Sequence, residues 1–308
     1  MNLKYNITGF LIQGLSDIPE HQILIFTICL IIYISIVIGN LNISVIILGN
    51  SRLHTPMYIF LMNLSTIDIF YASNILPNML NMLLIQNNTM SFVGCMIQMY
   101  LYISLTTAEI LVLEVMAYDR YIAICHPLHY SILMSLRQCA GMSIAVWLLS
   151  FLVTIGNTVL ISRLSFCSSH LIDHFFCDII PLLKLSCSSI FSVEIMNYIQ
   201  GILLTFMSFL LTIISYIFII STILKIKSIE GRRKAFSTCS SHLTCVVLYY
   251  GTLICLYMRP TSNYSPDRDK FFSLLYVVLI PLLNPIIYSL KNYEFKVGFR
   301  KLLNGMVY

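Results

Sequence analysis

Charge is what this chain has least of. Only 10% of its 308 residues are Asp, Glu, Lys or Arg, against about a quarter in soluble domains, so a water-soluble globular fold is excluded. Internal repeats and low-complexity tracts are missing as well. The histidines are scattered, with no nucleophile motif and no metal-ligand spacing, so no enzyme is expected. Residues 1–20 lack the apolar core of a signal peptide, and the first apolar segment is expected to direct membrane insertion itself.

What is present is hydrophobic. Apolar residues make up 58% of the chain and the mean hydropathy is +0.86. Uncharged runs extend over His21–Ser51, Gln138–Ser162, Ile195–Leu224, Ala235–Met258 and Phe271–Leu290. Each reaches the ~20 residues a bilayer-spanning helix needs. Two further apolar segments carry acid, Pro56–Leu84 around Asp68 and Cys95–Ile124 around Glu109 and Glu114. The expected fold is therefore all-α, a bundle of seven transmembrane helices, because runs this long and continuous do not suit barrel strands of about 10 alternating residues.

Orientation follows from basic residues near the segment ends. With the N-terminus outside, twelve Lys and Arg residues lie inside, among them Arg120, Arg232, Arg233 and Lys234, and six lie outside. The expected organisation is one domain over 1–308, with an extracellular N-terminus (1–22), a long extracellular loop (163–194) and a cytoplasmic tail (291–308). In that tail, Phe295, Phe299 and Leu302 alternate with Lys296 and Arg300 at helical spacing, the pattern of a short amphipathic helix on the inner membrane surface. Sequons at Asn6, Asn87 and Asn263 fall outside, Asn6 on a free tail and so the favoured glycosylation site, whereas those at Asn42 and Asn63 fall in helices.

Four of the ten cysteines, Cys95, Cys167, Cys177 and Cys187, lie on the outer, oxidising side. Four cysteines allow three pairings. The other six are expected to be free, and none follows Cys255 to anchor the tail. The long loop suits either a lid over an outer pocket or a purely structural connection.

Asp68 and Glu109 sit mid-helix, where a lone charge costs about 2.5 to 3.5 kcal/mol, so both should face the bundle interior and share a partner. Tyr102, Thr106, Glu109, Leu113, Met116 and Arg120 recur every three or four residues and form one inward stripe. One rigid helix would then join an outer pocket, a polar middle and the inner end.

Motifs punctuate every span except the fourth. They are Gly39-Asn40; Leu53-His54-Thr55-Pro56-Met57-Tyr58; Leu64-Ser65 with Asp68; Met116-Ala117-Tyr118-Asp119-Arg120-Tyr121; Ser215-Tyr216; Lys234-Ala235-Phe236-Ser237-Thr238-Cys239 running on to His242; and Pro281-Leu282-Leu283-Asn284-Pro285-Ile286-Ile287-Tyr288. In this order they resemble the olfactory receptors, a family of rhodopsin-like G-protein-coupled receptors, and the sixth-segment string resembles their larger, tetrapod-expanded branch.

The resemblance implies a receptor that binds a small-molecule odorant and activates a stimulatory heterotrimeric G protein through cyclic AMP, in the plasma membrane of olfactory cilia. Its partners would be the odorant, the G protein and membrane lipids, without nucleic acid. It pairs Cys95 with Cys177 and Cys167 with Cys187. It assigns a pocket to Tyr102, Ile103, Thr106, Thr107, Asn157, Gln200, Leu204, Leu253, Ile254, Tyr257, Leu274 and Val277, an aliphatic set with hydroxyls and amides but no ionised group, suited to a neutral, largely apolar ligand. It assigns switch roles to Asp119, Arg120, Tyr216, Tyr250, Asn284, Pro285 and Tyr288, with Arg120 paired to Asp119 at rest and turned toward Tyr216 on activation. The polar cluster of Asn40, Asp68, Glu109 and Asn284 corresponds to a sodium site, although a carboxyl pair sharing a proton fits the same residues; no other cofactor is expected.

Two departures from general rhodopsin-like receptors are visible. Tyr250 and Gly251 stand where those carry tryptophan and proline in the sixth helix, and the fifth helix has no proline. A retinal protein would need a lysine within the seventh span, whose lysines, Lys270 and Lys291, lie only at its edges. The alternatives left are a non-olfactory receptor of the same class and a seven-helix transporter or channel.

Overall fold

The computed structural model describes residues 9–15, 19–85, 88–167, 170–257, 265–291, 295 and 297. Seven long helices run through them: Pro19–Gly49, Pro56–Ile85, Phe92–Cys125, Leu136–Ser162, Phe191–Leu224, Ile229–Tyr257 and a seventh beginning at Pro266 and ending at Lys291. Six are long and apolar enough to cross a membrane, and the apolar part of the sixth, His242–Tyr257, brings the spans to seven. The first helix is the most apolar, with mean hydropathy 2.6, and turns most of its side chains outward, whereas the third buries the largest share. The third is accordingly the axis, packed against the second, fourth and fifth helices.

Small and polar residues set the close contacts. A Cβ on Gly39 would lie 3.3 Å from the Pro285 ring, so glycine lets the first and seventh helices approach. The Asn40 amide beside it donates to the carbonyls of Ile36 and Pro281, both at 3.1 Å. Trp147 of the fourth helix donates to Asn63 of the second at 3.0 Å, and Asn63 donates to Ser143 at 3.1 Å. Two helices depart from α geometry. Gly201–Phe206 in the fifth and Leu275–Leu279 in the seventh are π-helical, and each such turn shifts which side chains face inward. The fifth helix, without proline, bends its register this way.

One end of the bundle carries a small sheet. β1 (Gly9–Ile12) lies between β2 (Thr89–Ser91), antiparallel, and β3 (Leu171–Ile172), parallel. Phe10 and Ile12 point into a core with Ile172, Cys177 and Leu182. Disulfides join Cys95 to Cys177 and Cys167 to Cys187; the remaining six cysteines lie outside these two disulfides. Gln98 ties the same end together: its Nε2 donates to the Asn74 carbonyl at 3.0 Å and its Oε1 accepts from Cys177 N at 3.0 Å.

Several expectations are corrected. Residues 9–12 form a strand rather than part of a free tail, because a sheet edge satisfies their backbone groups. The sixth helix starts at Ile229, ahead of the uncharged run Ala235–Met258, so Arg232, Arg233 and Lys234 lie within it. The fifth starts at Phe191, which places Glu194 in its first turn. The sequons at Asn6, Asn87 and Asn263, the Tyr288 side chain and the Phe299 and Leu302 part of the tail helix lie outside the described residues.

The sheet makes a testable demand. A Cβ on Gly9 would come within 2.5 Å of the Met90 carbonyl oxygen, so Gly9→Val should displace β1 and lower stability by about 1–3 kcal/mol. Thermal unfolding of the purified protein measures this; an unchanged midpoint would mean that β1 is not paired in solution.

Candidate functional site

Beneath the sheet lies a cavity of about 130 Å³, close to the ~150 Å³ that accommodates benzene in an engineered core. Nine of the twelve expected pocket residues line it: Tyr102, Ile103, Thr106, Thr107, Asn157, Gln200, Leu204, Leu253 and Tyr257. Ile254, Leu274 and Val277 do not. Ile254 faces outward from the sixth helix, while Val277, in the π turn of the seventh, is fully buried among packed helices, and Leu274 packs against the same core. That turn points Tyr276 inward instead, against Tyr71 and Tyr102.

The cavity also contains residues that sequence reasoning missed. Asp178, Ile179 and Ile180 enter from the long loop, and Glu194, Asn197 and Thr205 from the fifth helix. Two carboxyl groups therefore line a pocket expected to hold no ionised group. The cause is the Cys95–Cys177 bond, which pulls the next residue, Asp178, under the loop. There it caps the short helix Ile179–Lys184 and accepts from the Tyr257 hydroxyl at 3.1 and 3.2 Å. Adjacency to a tethered cysteine was the available signal.

The loop is packed as a lid. His174 is fully buried between Phe175 and Phe176, whose ring centroids each lie 4.7 Å away. Burial, with the Lys270 ammonium nearby, pushes its imidazole down to about 3, so it is neutral in the folded protein. Lys270 itself pairs with Asp173 at 2.6 Å, joining the loop to the start of the seventh helix.

Below the cavity is the polar middle. Asp68 accepts from Asn284 at 3.0 Å. Glu109 lies 3.3 Å from the Tyr276 hydroxyl, which contacts Tyr249 at 3.0 Å, and Tyr249 donates to the Thr106 carbonyl at 2.7 Å. A chain of hydroxyls thus runs from the cavity floor to Glu109. Among the described residues, Asp68 Oδ1, Glu109 Oε1, Asn40 Oδ1 and Ser65 Oγ are buried without a hydrogen-bond partner. Four unpartnered oxygens, two of them from carboxyl groups, are the chemical type of donor a hard cation takes.

At the far end, Arg120 pairs with Asp119 through Nε at 2.8 Å and through its terminal nitrogen, and Tyr130 donates to the other Asp119 oxygen at 2.9 Å. Tyr216 does not meet Arg120 in this arrangement; it bonds His242. The Leu113 carbonyl can only accept, so His242 donates to it from Nε2 at 3.2 Å and takes the Tyr216 proton on Nδ1 at 2.7 Å. The third, fifth and sixth helices are locked together there. His242 was visible in its motif but had no assigned role. Pro285 lies within the seventh helix, and Tyr250 is buried against Phe209 at 5.3 Å. Glu114, which had no expected partner, accepts from Ser208 of the fifth helix at 2.6 Å.

A seven-helix bundle, with a cavity under a disulfide-tethered loop at one end and an acid–arginine pair on the third helix at the other, defines a rhodopsin-like G-protein-coupled receptor. A family model described as olfactory receptor matches residues 28–305. Similar proteins include olfactory receptor 13G1 of Homo sapiens, 47% identical over 296 residues and 96% of both chains, and olfactory receptor 5AR1 of Mus musculus, 45% identical over 297 residues and 96% of both chains. Olfactory receptor 1G1 of Gorilla gorilla gorilla is 46% identical, covering 97% of this chain and 95% of its own. The chain belongs to the olfactory receptor family, whose members are receptors and not enzymes.

Two measurements test the site. An unfolded histidine titrates near 6.5 and the folded His174 near 3, so between those values the unfolded state binds a proton that the folded state does not. The contribution is complete above about 6.5 and is lost as pH falls. The thermal midpoint should drop between neutral pH and pH about 5, and His174→Phe should flatten that slope; an equal slope in the variant would refute the assignment. The second measurement is a double-mutant cycle on Asp68→Asn and Glu109→Gln. The combined loss of stability should fall short of the summed single losses by about 0.5–3 kcal/mol, and strict additivity would show the two carboxyls to be independent.

Proposed function

We propose that this receptor binds a small, largely apolar odorant in the cavity and activates a stimulatory heterotrimeric G protein, raising cyclic AMP. The observation that carries the reading is the third helix. Its stripe places Tyr102 and Thr106 at the cavity, Glu109 in the polar middle and Arg120 at the opposite end, so a single rigid element touches all three layers. The chain acts as one domain, with its sheet and disulfides facing outward and Asp119 and Arg120 facing the cytoplasm, in the plasma membrane of olfactory cilia. Disulfides persist only on an oxidising side, and the basic residues gather at the other. Asn6 is the proposed glycosylation site on the outer face.

In the resting receptor Arg120 is held by Asp119, and Tyr216 by His242. Outward movement of the sixth helix separates His242 from both Leu113 and Tyr216, since each bond crosses between helices. Tyr216 is then released to meet Arg120, and the opening accepts the G protein beside Arg232 and Arg233. Asp68 and Glu109, with Asn40 and Ser65, hold sodium or share a proton; a bound cation would supply positive charge between the two carboxyls.

Arg120→Ala should abolish odorant-evoked cyclic AMP, to the level of cells without receptor, while leaving surface expression and odorant binding within about twofold of the parent, because Arg120 contributes to the inner end and not to the cavity. Cyclic AMP is measured at matched surface levels in cells co-expressing the olfactory G protein. A retained response would place the switch elsewhere.

A further inference from the structure

The third helix carries one carboxyl group that the mechanism does not use. Glu114 stands half-buried in the apolar stretch Leu111–Met116, where an ionisable side chain is costly and needs polar partners. Ser208 of the fifth helix donates to one of its oxygens at 2.6 Å. The other oxygen has no hydrogen-bond partner among the described residues. Arg120, the nearest basic residue along the helix, is already held by Asp119.

Two further hydroxyls converge on the same place. Ser208, Thr212 and Tyr216 stand four residues apart on the fifth helix, and His242, Val246 and Tyr250 four apart on the sixth, so each trio forms one ridge. The Tyr216–His242 bond fixes the register of these antiparallel helices. Two turns nearer the cavity, Tyr250 therefore comes opposite Ser208, with Val246 fully buried between the two levels. The Tyr250 ring packs on Phe209, and its hydroxyl faces Ser208 and Thr212 and lies in the field of the Glu114 carboxyl. The Tyr250 and Thr212 side chains are fully buried, and neither hydroxyl has a hydrogen-bond partner among the described residues. Thr212 is unusual in this, because Thr66, Thr106, Thr107 and Thr158 each donate to the carbonyl four residues back.

Two hydroxyl protons without an acceptor and one carboxyl oxygen without a donor, gathered from three helices, match the bonding capacity of a single water molecule, and three bonds are what a buried water typically makes. We propose that Glu114, Thr212 and Tyr250 bind a bridging water, which accepts from the two hydroxyls and donates to the Glu114 carboxyl, and that this bridge restrains the sixth helix in the resting receptor. Ser208 keeps the carboxyl in place by its own bond. The bridge crosses from the third and fifth helices to the sixth at Tyr250, so outward movement of the sixth helix has to break it. Glu114 is a positioning residue: it acts through the water on Tyr250 and touches neither the cavity nor the inner end. The restraint, though not the bridge, rests on the proposed signalling function.

The thermal midpoint of the purified full-length receptor tests the bridge without any signalling. Tyr250→Phe and Thr212→Val should each lower the midpoint by about 2–4 °C. The pair together should lower it little more than one alone, because either loss loosens the same water, and in a Glu114→Leu background both effects should vanish. Hydroxyls that bond nothing give the opposite sign, since deleting an unsatisfied buried polar group stabilises. Midpoints that rise or stay unchanged in the single variants, or fall additively in the pair, would overturn the bridge and the restraint with it; these readings decide even where Glu114→Leu does not fold. The restraint itself is read as basal cyclic AMP at matched surface levels. Glu114→Leu should raise it about twofold or more, whereas Glu114→Gln, which keeps an acceptor oxygen, should stay near the parent. Unchanged basal cyclic AMP in Glu114→Leu, in a receptor that still answers odorant, would overturn the restraint. A parent that raises no cyclic AMP, either basally or with a panel of volatile alcohols, ketones and hydrocarbons, would overturn the signalling reading and the restraint together, and the midpoints would still decide the bridge.

Discussion

A polar side chain inside a bilayer has no water to fall back on, and every other feature of this bundle answers to that constraint. Asp68, Glu109, Asn40, Asn284 and Asn63 are all helical and inward-facing, and each bonds a group on a different helix, Glu109 through the Tyr276 hydroxyl of the seventh. Outward-facing positions are dominated by Ile, Leu, Val and Phe, and exposed hydroxyls such as Thr27 and Ser35 donate to carbonyls of their own helix. Packing alone gives little selectivity among helix orientations in lipid, where the surroundings are as apolar as the side chains. Directional hydrogen bonds between helices supply it.

The bonds are also layered. Near the sheet, Gln98 and the Cys95–Cys177 bond hold the second helix, third helix and long loop together. In the middle, Tyr276, Tyr249 and Thr106 connect the seventh, sixth and third helices. At the far end His242 connects the sixth to the third and fifth. In the two lower layers the sixth helix contributes the Tyr249 and His242 side chains and the Cys239 carbonyl, which also accepts from Tyr216 at 3.3 Å, polar groups whose bonds can be exchanged without exposing a charge. The helix proposed to move is therefore held there by exchangeable hydrogen bonds.

The spans were legible because lipid selects for uncharged runs: the gap between Glu20 and Arg52 alone delimits the first helix to within a few residues. The motif residues Asp119, Arg120 and Asp68 were legible for the same reason, as charges where none should be. Register was less so. Val277 and Thr205 depend on π turns in the seventh and fifth helices, and an extra residue in a turn leaves no mark in hydropathy. β1 was invisible because four residues pairing with segments far along the chain show no alternation of their own. Asp178 escaped because its position follows from a covalent bond between distant cysteines and not from its neighbours. Glu114 was visible as an anomaly, but its partner Ser208 was not.

The central place of β1 in its sheet bears on the order in which the molecule is built. Gly9–Ile12 precedes all seven helices along the chain, yet its two neighbours are β2 at Thr89–Ser91 and β3 at Leu171–Ile172. Until four helices have been inserted and the following loop has been delivered, the N-terminal segment has nothing to pair with. A strand synthesised ahead of the helices is thus among the last elements to settle, and its docking records that the loop has arrived in register. A bulky insertion placed directly before Gly9 would burden this closing step and spare the helices, so an engineered segment there calls for a spacer.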